Sequence, residues 1–107
     1  MKFRLTLTER ADREITEAYL WISERAPMAA HQWREEMIVR IMTLEDTALS
    51  NRLALENGKV RYEIRQLLFG KRRGQYRIIY TIRGDEVVVL SVRHSFRQPI
   101  EEDELPL

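Results

Sequence analysis

None of the 107 residues is a cysteine. That excludes a disulfide framework, a thiolate metal site and a cysteine nucleophile, and it suits a reducing, cytoplasmic setting. No uninterrupted apolar stretch approaches the roughly 18 residues that a membrane-spanning helix needs. The opening run, Met1-Lys2-Phe3-Arg4-Leu5-Thr6, alternates apolar and polar residues and lacks the apolar core of a signal peptide. The two histidines, His31 and His94, are far apart and show no ligand spacing, so neither a metal nor any other cofactor is expected. There is no glycine-rich phosphate loop, Ser-His-Asp arrangement, internal repeat or low-complexity segment.

What remains is a chain that is 44% hydrophobic and 33% charged, the composition of one small globular domain. The net charge of +1 conceals an uneven distribution. Residues 1–58 balance to −2, residues 59–97 to +7 and residues 98–107 to −4. A basic block between neutral and acidic ones attracts phosphates or acidic partners, or else forms an ion-screened solvent face. The acidic residues Glu101 to Glu104 read as a loose tail over 99–107, following a domain over 1–98. That tail is also placed to lie against the basic block.

Alternation of Phe3, Leu5 and Leu7 with polar residues predicts a short strand. Thr8 is a candidate helix cap with Glu9 and Asp12 in the first turn, and Ala11, Ile15, Ala18, Tyr19 and Ile22 make one apolar stripe. Pro27 closes this helix or opens a second, whose stripe is Ala30, Trp33, Met37, Ile41, Leu44 and Ala48. The short link between them predicts a helical hairpin. Residues 50–59 have no firm period and read as a loop. From Tyr62 the period becomes two: a strand to Phe69, a basic turn Lys71-Arg72-Arg73-Gly74, a strand from Gln75 to Arg83, a Gly84-Asp85 hairpin and a central strand from Val87 to Val92. The expected fold is α+β: two layers in the order β-α-α-β-β-β, with the helical hairpin packed on a small antiparallel sheet.

If Ile78, Tyr80 and Ile82 face the helices, parity sends Arg77, Thr81 and Arg83 to the opposite, uncovered face. Arg65 is a candidate neighbour of Arg77, and Arg93, His94 and Arg97 follow at the end of the last strand. Arginines gathered there would suit bidentate recognition of phosphate, and His94 could serve as a general acid or base on a ribose hydroxyl. Trp21 and Trp33, on or beside the helical stripes, are better placed for core or partner packing than for stacking on bases. His31 has no evident partner.

The ordered set Ile64-Arg65-Gln66-Leu67, Gly74-Gln75-Tyr76-Arg77-Ile78-Ile79-Tyr80, Val87-Val88-Val89-Leu90-Ser91-Val92-Arg93-His94 and Arg97 resembles the RelE/ParE toxin superfamily. The N-terminal strand and the helix opening Thr8-Glu9-Arg10-Ala11 match as well, so the resemblance spans residues 3–97. It implies a growth-arresting toxin of a bacterial type II toxin-antitoxin pair, of the plasmid-stabilisation type, neutralised by a small antitoxin. Two mechanisms follow from it. The ParE-like branch poisons DNA gyrase. The RelE-like branch cleaves mRNA on the ribosome with basic residues of the sheet, and Arg77, Arg93 and His94 fall at such positions. Those enzymes often carry a tyrosine near the C-terminus, whereas none follows Tyr80 here, which leans the chain toward ParE. Arg65, Arg77, Arg83, Arg93 and Arg97 are the expected nucleic-acid or antitoxin contacts. A non-toxic module docking an acidic partner is the remaining alternative.

Overall fold

The computed structural model describes residues 2–105; Met1 and the last two residues of the acidic segment, Pro106 and Leu107, lie outside the described residues. Strand β1 (Arg4–Leu7) leads into helices α1 (Glu9–Ser23), α2 (Pro27–Met42) and the single turn α3 (Leu44–Thr47). Strands β2 (Arg65–Phe69), β3 (Tyr76–Arg83) and β4 (Glu86–His94) follow. The Thr8 side chain accepts from the Ala11 N–H at 3.1 Å, the expected cap, and its hydroxyl donates to the Leu90 carbonyl, tying the start of α1 to β4. Pro27 occupies the first turn of α2, where its missing N–H costs nothing.

The sheet order is β1-β4-β3-β2, so β4 is internal as its apolar run required. Strands β2, β3 and β4 form an antiparallel meander, but β1 pairs with β4 in parallel. The sheet is therefore mixed rather than antiparallel. The cause is topological: the helices and the irregular segment 48–64 return the chain so that β1, β2 and β4 run the same way.

One helix-side cluster joins Ala11, Ile15, Met37, Ile41 and Leu44 to Leu67, Ile78, Tyr80, Val87, Val89 and Val92. The opposite face of the sheet is covered as well, contrary to expectation. Ile79, Val88 and Leu90 form one buried cluster there with Ala54, Ile64, Ile100 and Leu105. The acidic segment is thus not loose through 105. Two apolar residues pull it onto the sheet, and Glu101 and Glu104 close a capping box around its short 3-10 turn.

Between Ile79 and Tyr80 the register shifts: Ile79 faces Ser91 and Tyr80 faces Val89, leaving Leu90 as the extra residue of a bulge. The bulge reverses the parity of the rest of β4. Val92 and His94 thereby return to the helix side, and Arg93 stands opposite Arg77 on the second face.

Because Ile100 is a core residue of the second layer, Ile100→Ala should cost about 2–5 kcal/mol of stability, measured as a lowered urea midpoint with an unchanged slope. A loss under about 1 kcal/mol would mean that segment 98–105 does not pack as described.

Candidate functional site

The sequence-predicted residues separate into two places. On the second face, Arg77 and Arg93 are only 3% and 2% exposed. Arg77 forms a two-pronged ion pair with Glu56: Nη1 donates to Oε2 at 3.0 Å and Nη2 donates to Oε1. Its Nε also donates to the Gln66 side-chain oxygen at 3.2 Å. The strand register explains the choice of neighbour. Arg65 pairs with Tyr80 and Gln66 with Ile79, so Gln66, not Arg65, shares the face of Arg77. Arg65 instead donates to the Asn51 carbonyl at 2.6 Å and lies 3.3 Å from Glu63.

Arg93 donates to the Gln98 carbonyl at 2.8 Å and to Glu104 Oε1 at 3.2 Å. Arg10 of α1 donates to the same Glu104 oxygen. Glu14, also on α1 and buried, accepts from the Ser91 hydroxyl at 2.7 Å, the Val92 N–H at 3.0 Å and Arg97 Nη1 at 3.1 Å. The arginines of the second face are therefore neutralised inside the chain. They meet a phosphate only if Glu56 or Glu104 leaves. Arg83 stands apart, exposed at the end of β3.

Burial pushes the Glu56 carboxyl up. Hydrogen bonds from Arg77 and from the Ile100 N–H, with the charge of Arg77, outweigh it and hold the group below the ordinary carboxylate value. Glu104 is likewise raised by burial and brought below its ordinary value by the Glu101 N–H and by the Arg93 and Arg10 guanidiniums.

His94 lies on the other face. The Phe96 N–H donates to its Nδ1 at 3.1 Å, so that nitrogen is the acceptor. Its Nε2 faces the Arg73 carbonyl and must carry the proton. Both ring nitrogens of a neutral imidazole are thus engaged. The ring pins the basic turn to the end of β4. Gly70 makes that turn possible, since it has φ +90° and a Cβ there would stand 2.6 Å from the Gly74 carbonyl oxygen. His94 continues a row of edge-on rings, Phe69, Trp33 and Tyr76, on one side and meets Phe96 in a tilted contact on the other. His31 meets Tyr19 edge-on at the surface.

Sequence reasoning missed Glu14, Glu56 and Gln66. Glu14 left a trace, being a charge within the apolar stripe of Ala11, Ile15 and Ala18. Glu56 left none, because the loop around it has no period. Among the described residues no cluster of side chains is suited to a metal ion, and no helix is long and apolar enough to cross a membrane.

The family described as ParE toxin of type II toxin-antitoxin system, parDE, matches residues 5–99. Among solved structures, a chain of the chromosomal ParDE TA system from P. aeruginosa has a TM-score of 0.72 at 16% identity, over 87% of this chain and 96% of that one. At that identity the likeness is one of fold. No curated protein matches the chain.

Breaking the buried pair from one side should be severe: Arg77→Met should cost about 3–5 kcal/mol, because Glu56 is left charged and dry. The double variant Arg77→Met, Glu56→Leu should recover a large part of that loss in the same urea titration. Equal losses in both would show that the pair is not the source. The lowered carboxyls also set an acid limit. A group with its folded pKa below its unfolded one stabilises the fold above the unfolded value and loses that contribution as pH falls through the folded value. Stability should therefore hold down to about pH 4.5, the ordinary value, and decline below it. Glu104→Gln should flatten that decline in thermal melts taken across the acid range.

Proposed function

Because the chain belongs to the ParE toxin family of type II toxin-antitoxin systems, we propose that it arrests bacterial growth by inhibiting DNA gyrase and is neutralised by a cognate antitoxin. The observation that carries the choice of target is the engagement of the residues a ribosome-dependent nuclease would use. Arg77 and Arg93 are committed to Glu56 and Glu104, and both His94 nitrogens are occupied. No tyrosine follows Tyr80 to take a proton. A general acid or base needs a free nitrogen within reach of its proton, and transition-state charge needs donors not already satisfied. Inhibition of gyrase requires neither. It requires a folded surface, and on this reading Arg77 and Arg93 shape that surface from beneath.

Expression of the chain alone should stop growth of a bacterial host, and co-expression with the product of a neighbouring reading frame should restore it. In vitro, incubation with gyrase, ATP and supercoiled plasmid, followed by detergent and protease, should yield linear DNA. A folded, toxic protein that yields none would shift the assignment to ribosome-dependent mRNA cleavage, read by cleavage of mRNA in translating ribosomes. Soluble expression without any growth defect would instead favour a non-toxic docking module.

A further inference from the structure

Subtracting the internal ion pairs changes what the basic block offers. Arg61, Arg65, Arg77, Arg93 and Arg97 each face a carboxylate. Among the described side chains of that block, Lys59, Lys71, Arg73 and Arg83 have no ion-pair partner. Two of them, Lys71 and Arg73, belong to the one turn that His94 holds in place. Beside this turn opens a cleft of about 410 Å³ walled by Trp21, Ile22, Trp33, Tyr76 and His94, with Arg73 at its rim and no acidic residue in its lining. Trp21 is 58% exposed, and Phe96, packed on His94, is 74% exposed.

We propose that this cleft is a docking site for the antitoxin, taking an apolar side chain from an acidic segment whose carboxylates meet Lys71 and Arg73. The inference rests on the reading that an antitoxin binds this chain, and it moves the contact from the buried arginines to the opposite side of the sheet. Three observations select the occupant. The wall carries no negative charge and the rim is positive, so an acidic segment is complementary in sign. Tryptophan, tyrosine and arginine in a concave pocket are the residues on which protein partners concentrate binding energy. The edge-on contacts of Trp33 with Phe69 and Tyr76, and of Tyr76 with His94, hold the wall rigid, so little side-chain freedom is lost on binding.

The same geometry disfavours a nucleic acid. Base stacking needs open ring faces. Trp33 and Tyr76 lie within edge-on contacts, and the Arg25 guanidinium covers a Trp21 face at 3.8 Å from the ring centre. The outer side of α2 also exposes Met28, Val39 and Met42, but Arg34, Glu35, Glu36 and Arg40 surround them with both signs of charge and select no partner.

The test is calorimetric titration of the full-length toxin with the antitoxin from the neighbouring reading frame, using Trp21→Ala, the double reversal Lys71→Glu/Arg73→Glu, and Lys59→Glu as a charge-matched control. Trp21 is exposed enough to be replaced without unfolding the chain, and circular dichroism checks each variant. Trp21→Ala should weaken binding about tenfold or more. The double reversal should weaken it further and remove most of the fall in affinity seen as salt rises from about 50 to about 500 mM. Lys59→Glu should stay within about twofold of wild type, the range expected of a residue outside the contact. Binding that ignores both cleft variants overturns the site and leaves the antitoxin reading intact. A wild-type toxin that binds no antitoxin overturns that reading and the site with it. A single-stranded oligothymidylate that binds wild type and is lost in the same variants overturns the protein occupant in favour of nucleic acid.

Discussion

Arg77 and Arg93 stand directly opposite each other on adjacent strands, on a face sealed from water. Two guanidiniums cannot share such a face without carboxylates beside them, because each like charge raises the cost of desolvating the other. Much of the second layer follows from that demand. The irregular segment 50–64 supplies Glu56, the C-terminal segment supplies Glu104, and α1 contributes Arg10 and Glu14 around the same junction. Ile100 and Leu105 add apolar burial, but the charges decide where the segment must lie. Buried ion pairs are poor evidence of net stability. Here they specify which loop crosses which strand.

Most of the fold is legible in the residues because it depends on local period. The helical stripes, the Thr8 cap, the Gly84-Asp85 hairpin and the internal position of β4 all follow from spacing and turn chemistry. The second layer was legible only in part. Opposite placement of Arg77 relative to Ile78 and Tyr80 follows from parity, but that this face is covered does not. Its cover consists of irregular chain held by single residues such as Ala54, Ile64 and Ile100, and irregular chain has no period to read. The bulge at Leu90 is equally silent. Val87 to Val92 is apolar at nearly every position, so a one-residue change of parity leaves no mark there, yet it decides that His94 takes the helix side and Arg93 the second face.

The basic block also shows why a formal charge count misleads about partners. The balance of +7 over residues 59–97 suggests a broad cationic surface. Most of its arginines neutralise carboxylates of the same chain, several of them from outside the block. The charge left for another molecule is smaller and localised, and part of it lies in a turn whose backbone is fastened by a neutral histidine. Steering by such a patch acts over about a Debye length, roughly 8 Å at physiological salt.

Residues 98–105 lie after every strand they cover, so on the ribosome the sheet is synthesised before its second face can close. Until Glu104 and Ile100 leave the exit tunnel, Arg93 lacks its carboxylate and the apolar face of β4 is open to solvent. Strands and helical hairpin are available to pair during that interval, and the second face closes only after residues 98–105 have followed. The order of synthesis thus separates the making of the sheet from the closing of its second face.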